Sequence, residues 1–159
     1  MKTIQYITGD ATNPKAGGNK IIAHICNDIG GWGKGFVTAI SKRWKNPENA
    51  YRLWFRSKEN FTLGQIQMIQ VEDNLWICNM IAQHKTISTS KGIPPIRYEA
   101  AENCLGKLSV EALHLNASIH MPRIGCGLAG GKWDEIEPII KRTLLNNDVE
   151  VYVYDFEQN

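Results

Sequence analysis

The sequence predicts an α/β protein: a three-layer α/β/α sandwich with a mixed, mostly parallel central sheet. Three observations support this prediction. Short apolar segments alternate with segments of helical periodicity, two strand-to-helix junctions are rich in glycine, and residues 20–25 are apolar almost throughout. A strand of that last kind is typical of the centre of a parallel sheet, because helices bury it on both faces.

Size and composition are those of an ordinary globular chain. The 159 residues, 43% hydrophobic and 21% charged, predict one domain over residues 1–159 with a substantial core. A net charge of +2 is too balanced to favour bulk binding to nucleic acid or to a membrane. No apolar run approaches the length of a membrane span or of a signal-peptide core, so we expect a cytoplasmic protein.

The four cysteines predict neither a zinc site nor a disulfide framework. Cys26, Cys78, Cys104 and Cys126 are widely separated, and no two of them form a C-x-x-C pair. We therefore expect free thiols, no metal site and no cofactor.

The first half of the chain predicts two strands followed by two helices. The strand at residues 4–8 ends in turn-forming residues, which places Asp10 at its carboxyl end, where open α/β sheets bind ligands. The second strand, 20–25, runs into a glycine-rich segment at 26–35 and then into apolar residues with helical spacing. An Asn-Pro pair at 46–47 predicts the N-cap and first position of the next helix.

A hairpin and a long helix are predicted next. Residues 65–71 and 75–82 are β-rich on either side of a polar turn, as in antiparallel neighbours. Residues 83–95 form the longest irregular segment, either a flap over a site or a surface loop. Apolar residues recur at helical spacing over residues 98–115 and define one buried stripe.

A second glycine-rich junction, residues 124–133, precedes the last helix. Four glycines in seven residues, between a strand and a helix, let backbone N–H groups converge near a helix N-terminus, which favours phosphate binding. A plain surface turn is the alternative. The G-x-G-x-x-G match beginning at Gly125 does not predict a dinucleotide fold, because only one helix and one strand follow it. We expect that helix to begin near Glu137, since Pro138 interrupts its pattern, and an alternating strand at 149–154 to follow.

Four stretches of the chain together resemble a macrodomain, and the resemblance covers nearly the whole sequence. They are residues 9–12 (Gly-Asp-Ala-Thr), 23–36, 79–83 and 121–128. Within that family the chain most resembles the short branch that contains terminal ADP-ribose protein glycohydrolase. The resemblance implies ADP-ribose as the ligand.

The resemblance also implies which residues bind that ligand. Asp10, with Ala11 beside it, would accept a hydrogen bond from the adenine amino group, although an Asx-turn is the alternative for Asp10. Tyr154 would pack on the adenine or fill the core. Asn27 and Asp28 would face the distal ribose or brace the turn. Two sets of main-chain N–H groups would hold the pyrophosphate, those of Gly33, Lys34, Gly35 and Phe36 and those of Gly125, Cys126, Gly127 and Leu128.

The chain departs from the glycohydrolase at the two positions that carry its lysine-mediated reaction. Gln83 stands where that enzyme has the lysine, and Ala129 stands where it has an aspartate. Neither side chain can act as a nucleophilic amine or as a carboxylate acid–base group. We therefore do not expect that mechanism here.

Three functions remain open on this reading. The first is a module that binds ADP-ribose, free or on an ADP-ribosylated macromolecule, and no membrane. The second is a hydrolase that removes ADP-ribose from acidic side chains, or phosphate from ADP-ribose 1″-phosphate, with Asp28 as the base and Asn27 positioning the water. The third is binding of single-stranded nucleic acid without ADP-ribose, which the small net charge disfavours. Its residues would be Trp32, Trp44, Lys34, Lys42, Arg43 and Lys45.

Overall fold

A six-stranded sheet runs through the middle of the protein in a computed structural model that describes residues 2–156. Its strands are β1 (Gln5–Thr8), β2 (Lys20–Asn27), β3 (Ile66–Glu72), β4 (Leu75–Gln83), β5 (Ser118–Met121) and β6 (Val151–Asp155). They lie in the order β1-β6-β5-β2-β4-β3. β3 is antiparallel to β4, and all other neighbours are parallel. The predicted mixed, mostly parallel sheet and its hairpin are confirmed.

Helices occur where the sequence predicts them. They are α1 (Phe36–Arg43), α2 (Asn46–Ser57), α3 (Tyr98–Leu115) and α4 (Trp133–Thr143), which a short 3-10 turn follows at Leu145–Asn147. α2 begins one residue earlier than predicted, with Lys45 in the N-cap position. Within residues 2–156, no helix has both the length and the apolar character needed to cross a membrane.

The central strand β2 is buried on both faces, as predicted. Ile21 and Ala23 belong to a large core that includes residues of α3 and α4. Ile22 and Cys26 belong to a smaller core that includes residues of α1 and α2. Burial of each large aliphatic side chain contributes about 1.5–3 kcal/mol, so the sheet is stabilised from both sides.

The predicted start of α4 near Glu137 is wrong. The helix begins at Trp133 and contains Pro138 as its sixth residue. A proline there costs about 3 kcal/mol, because it removes one hydrogen bond and crowds the preceding turn. Burial of Ile136, Ile139 and Ile140 on the inner face offsets that cost, while Pro138 itself is exposed.

The topology places the two glycine-rich junctions side by side. β2 and β5 are parallel neighbours, so their carboxyl ends lie at the same edge of the sheet. β4 pairs with β2 on its other side and ends at Gln83 on that same edge. The segments that leave β2, β4 and β5 therefore border one region of the surface.

Candidate functional site

Two glycine loops meet at this edge. The first glycine loop, residues 28–35, joins β2 to α1, and the second glycine loop, residues 122–132, joins β5 to α4. They lie close together, since a Cβ atom built on Gly35 would lie 3.4 Å from Leu128 Cδ1. The two loops are therefore neighbours, as the parallel pairing of β2 with β5 leads one to expect.

The hollow has two parts. An inter-loop cavity of about 290 Å³ lies between the loops, and a side cavity of about 390 Å³ lies beside it, under the segment that follows β4. The inter-loop cavity is bordered by both loops, with Lys34, Gly35 and Phe36 on one side and Gly125, Gly127 and Leu128 on the other. The side cavity is bordered by Asn27, Gly31, Trp32, Gly33, Thr86 and Ile87. Both share the residues Ile25, Lys34, Val37, Gln83 and Leu128.

Unpaired main-chain N–H groups line both sides of this hollow. In the hydrogen-bond network of residues 2–156, no acceptor meets the N–H groups of Gly33, Lys34, Gly35, Gly125, Gly127 and Leu128. α1 begins at Phe36, and the N–H groups of Phe36 and Val37 add to one side, whereas that of Thr38 donates to the Gly35 carbonyl at 3.1 Å. In the second glycine loop the Cys126 N–H is likewise paired, since it donates to the Arg123 carbonyl at 3.3 Å. Free N–H donors beside a helix N-terminus favour an anion.

The charged side chains of the hollow also favour an anion. Among the described residues that line the two cavities, the charged ones are Lys34 and Arg123, and none is acidic. The Arg123 guanidinium binds the Asp155 carboxylate at 2.6 and 2.9 Å, and these hydrogen bonds raise the pKa of Arg123. It also stacks over the rings of Tyr6 and Trp133, at 5.1 Å from each centroid. Arg123 is thus a fixed cation, which the sequence analysis did not select.

Asn27 braces the first glycine loop with its side-chain amide. Its Oδ1 accepts hydrogen bonds from the N–H groups of Ile29 at 3.0 Å and Gly31 at 2.9 Å, and from the Tyr51 hydroxyl at 2.9 Å. Its Nδ2 donates to the Gly31 carbonyl at 2.9 Å. Asn27 lines the side cavity, where its catalytic assignment stays a prediction.

Asp28 faces the segment after β4. Its Oδ1 accepts a hydrogen bond from the Lys85 N–H at 2.8 Å, and its Oδ2 accepts one from His84 Nδ1 at 2.7 Å. Asn27 is one of the described residues that line the side cavity, whereas Asp28 is not among those that line either cavity. Its role as a general base stays a prediction.

The second glycine loop is held by its own backbone. The Gly131 N–H donates to the Gly125 carbonyl at 2.7 Å, and the Gly130 N–H donates to the Gly127 carbonyl at 3.0 Å. Gly125 has a φ of 73°, a region that residues with side chains rarely adopt. Cys126 lies in this loop half-buried, and burial raises the pKa of its thiol, which disfavours a reactive thiolate.

Gln83 and Ala129, the two positions at which the chain departs from the glycohydrolase, both border the inter-loop cavity. Both line it, and Gln83 also lines the side cavity. The Gln83 amide donates to the Lys85 carbonyl at 2.9 Å, and Ala129 is buried at 5% exposure. These two positions therefore bring an amide and a methyl group to the hollow.

Asp10 forms the Asx-turn that was given above as the alternative, and an ion pair as well. Its Oδ1 accepts hydrogen bonds from the N–H and hydroxyl of Thr12, at 2.8 and 2.7 Å, and its Oδ2 lies 3.4 Å from Arg43 Nη2. Partial burial alone would raise the pKa of Asp10, but the bonds from Thr12 and Arg43 outweigh it and lower the pKa. The carboxylate therefore stays ionised and able to accept a further hydrogen bond. Ala11, beside it, is buried.

Tyr154 is 7% exposed, as expected of a core residue, and lies close to the chain that leads to Asp10. Its ring would be 3.8 Å from a Cβ atom built on Gly9, and its hydroxyl is hydrogen-bonded to His120 Nδ1 at 2.7 Å. Burial lowers the pKa of His120 to about 4, so the imidazole is neutral.

The sequence analysis did not select Phe156, an aromatic residue just past β6 that is 75% exposed at this end of the site. The feature of the sequence that could have identified Phe156 is its position directly after the last strand.

His24, in the floor of the inter-loop cavity, was also missed. Burial lowers its pKa to about 4. The Asn79 amide donates to Gln67 Oε1 at 3.1 Å, which leaves Asn79 Oδ1 to accept from His24 Nε2 at 2.5 Å. His24 Nδ1 therefore carries no proton and is a hydrogen-bond acceptor. The feature of the sequence that could have identified His24 is its place as a polar residue inside an apolar strand.

One residue invoked for nucleic-acid binding is not accessible. Trp32 is 5% exposed and packs against the rings of His24 and Tyr51, so it cannot stack on a base. Trp44 is partly buried, and its indole N–H donates to Glu72.

Within residues 2–156, no group of three or more His, Cys, Asp or Glu side chains is arranged to hold a metal ion.

Two solved structures are similar along nearly the whole chain. A macrodomain protein from Streptomyces coelicolor is 50% identical with a TM-score of 0.85, covering 96% of this chain and 99% of that one. A protein of unknown function from Bacteroides thetaiotaomicron is 57% identical with a TM-score of 0.95, covering 96% and 98%. No family model matches the chain.

Curated relatives are more distant. The mouse (Mus musculus) protein named Chromodomain-helicase-DNA-binding protein 1-like is 30% identical over 166 residues, which cover 99% of this chain. This chain spans only 18% of that protein. The ADP-ribose 1″-phosphate phosphatase of Candida albicans is 28% identical over 165 residues, covering 94% of this chain and 99% of that relative.

Proposed function

Because this chain belongs to the macrodomain family, we propose that it binds ADP-ribose, free or attached to a protein, in the hollow between the two glycine loops. The observation that carries the proposal is the pair of unpaired N–H arrays, one from each loop, on opposite sides of one cavity. A diphosphate has oxygens on both sides and would accept from both arrays at once. Lys34 adds a matching positive charge, whereas the positive charge of Arg123 is already paired with the Asp155 carboxylate.

The rest of the ligand would extend in two directions from the diphosphate. The adenosine would lie toward Asp10 and Tyr154, with Phe156 as a further aromatic contact. The distal ribose would enter the side cavity, where Asn27 and Gln83 offer polar groups. In this arrangement each part of ADP-ribose would lie against residues whose chemistry matches it.

Calorimetry with ADP-ribose and with its hypoxanthine analogue tests this proposal. Asp10 would accept a hydrogen bond from the adenine amino group, which hypoxanthine lacks. The protein should therefore bind ADP-ribose roughly tenfold more tightly than the analogue. Asp10→Ala should remove most of that preference. No heat with ADP-ribose, or an unchanged preference in Asp10→Ala, would contradict the proposal.

Hydrolysis is the second candidate function. It is favoured by the phosphatase of Candida albicans, which aligns with this chain over nearly its full length. The substrate would be ADP-ribose 1″-phosphate or ADP-ribose esterified to an acidic side chain. Release of phosphate or of ADP-ribose, followed over time with purified protein, would establish an enzyme. Tight binding without release would leave a binding module.

A further inference from the structure

Residues 84–95 join β4 to α3, and two of them, Thr86 and Ile87, form one wall of the side cavity. Both ends of this segment are fixed, because the His84 N–H donates to the Pro95 carbonyl at 2.8 Å and the Arg97 N–H donates to the Ala82 carbonyl at 2.9 Å. Thr86, just inside one end, lines the side cavity together with the residue that follows it. The conformation at residues 84–87 therefore sets the shape of this cavity.

Asp28 holds this corner of the segment. Its carboxylate accepts from the Lys85 N–H at 2.8 Å and from His84 Nδ1 at 2.7 Å, and its own N–H donates to the Gln83 carbonyl at 2.9 Å. The Asp28 side chain is only 17% exposed. Every one of these partners lies at the end of β4 or just beyond it. The neighbouring Asn27, by contrast, bonds to the first glycine loop.

The backbone at Lys85 needs this support. Lys85 has a φ of 58°, in the left-handed region that residues with side chains rarely adopt. Such a conformation persists only where its surroundings fix it, and it is common at ligand clamps. At Lys85 the N–H is fixed by Asp28, and the carbonyl accepts from the Gln83 amide at 2.9 Å.

The wall that this turn presents suits a sugar. Ile87 is 75% exposed although it is apolar, and Thr86 brings a hydroxyl beside it. A ribose ring offers C–H groups to an aliphatic side chain and hydroxyls to a polar one. The wall lies next to the inter-loop cavity, which the proposed function assigns to the diphosphate.

We propose that Asp28 is a positioning residue that fixes Thr86 and Ile87 against the side cavity, and that this wall lets the protein select ADP-ribose over ADP by the distal ribose. This inference rests on the proposed ADP-ribose function. It gives the Asp28 carboxylate a role other than that of a general base, because its two oxygens act on the protein and not on a water molecule.

Calorimetry with ADP-ribose and ADP on the wild type, Asp28→Ala and Asp28→Asn tests the inference. The asparagine Oδ1 can still accept from Lys85, and its amide can donate to His84 Nδ1 once the imidazole proton moves to Nε2. We expect the wild type to bind ADP-ribose at least fivefold more tightly than ADP. Asp28→Ala should lose that preference and keep its affinity for ADP, whereas Asp28→Asn should keep both affinities within twofold.

Several outcomes would overturn the inference alone. They are equal affinity of the wild type for both ligands, an equal loss of preference in Asp28→Ala and Asp28→Asn, or a parallel loss of ADP binding in Asp28→Ala. Unchanged binding in both variants with turnover abolished in both would identify a general base instead. Absence of binding to either ligand in the wild type would overturn the proposed function together with this inference.

A second variant covers the case in which Asp28→Ala does not fold. Ile87 is largely exposed, so its truncation leaves the core intact. Ile87→Ala should weaken ADP-ribose binding about threefold and leave ADP binding unchanged. Ile93, 49% exposed in the same segment, is the matched control, since it is not among the described residues that line the two cavities. An equal effect of Ile87→Ala and Ile93→Ala would contradict the assigned wall.

Discussion

The two glycine loops border one hollow but are held in place by different means. The first glycine loop is held by side chains, because the buried Asn27 forms hydrogen bonds to Ile29 and, twice, to Gly31, and Arg52 Nη1 donates to the Gly30 carbonyl at 3.3 Å. The second glycine loop depends on its backbone, because Gly131 and Gly130 donate to Gly125 and Gly127 within the loop. A loop that presents free N–H groups can thus be held in place by side-chain hydrogen bonds, as in the first glycine loop, or by backbone hydrogen bonds within the loop, as in the second.

This difference predicts where each loop is vulnerable. A side-chain brace can be removed or altered while the loop sequence stays the same. A loop held by close backbone contacts tolerates no added atom at the contact, although it can accept one elsewhere. Three substitutions, each with a companion variant, test this contrast, in decreasing order of expected effect.

The largest effect is expected for Gly131→Ala in the second glycine loop. A Cβ atom there would lie 2.5 Å from the Gly125 carbonyl oxygen, which is backbone and cannot rotate away. The loop would have to open and would lose the bond from the Gly131 N–H. We expect the free energy of unfolding to fall by about 3 kcal/mol, measured by urea denaturation, with loss of ADP-ribose binding.

Gly127→Ala is the matched control in the same loop. A Cβ atom at Gly127 meets no other atom within 4 Å, and its φ is not positive. The free energy of unfolding should change by less than about 0.5 kcal/mol. Equal destabilisation by both substitutions would show that the loop is not held by the contact at Gly131.

An intermediate effect is expected for Asn27→Ala at the first glycine loop. The substitution leaves the N–H groups of Ile29 and Gly31 without their acceptor in a partly buried place. We expect a loss of about 2 kcal/mol in the free energy of unfolding and weaker binding of ADP-ribose.

Asn27→Asp separates the brace from the charge of the hollow. The carboxylate keeps an acceptor for both N–H groups, but it places an oxygen where the Asn27 amide donates to the Gly31 carbonyl, so only part of the stability should remain. Its negative charge borders the anion site, so ADP-ribose binding should fall about tenfold or more. If Asn27→Asp binds ADP-ribose as tightly as the wild type, the diphosphate does not lie near this loop.

The element order could be predicted from the sequence because periodicity is a local property. Apolar runs marked the strands, and glycine-rich junctions marked the edge of the sheet where loops meet. The start of α4 could not be predicted, because local propensity at Pro138 opposed a helix that tertiary packing of Ile136, Ile139 and Ile140 stabilises.

The partners of the site residues were beyond sequence reasoning for a related reason. Asn27 bonds to Tyr51, 24 residues away, and Asp28 bonds to His84 and Lys85, 56 and 57 residues away. The sequence showed that polar groups follow β2 but not which way each one faces. Only the folded chain assigns Asn27 to the loop after β2 and Asp28 to the segment after β4.

The smallest effect is expected for Lys34→Ala, which compares the loops by charge rather than by structure. Lys34 in the first glycine loop is exposed and lines both cavities, whereas Lys132 in the second is exposed and is not among the described residues that line them. Exposed ion pairs contribute about 0.2–1 kcal/mol, so Lys34→Ala should weaken ADP-ribose binding about threefold at low salt. Screening should shrink that difference at about 1 M salt, where the Debye length is about 3 Å. Lys132→Ala should have no effect on the dissociation constant, and an equal effect of the two would mean that charge acts over the whole surface, not at the hollow.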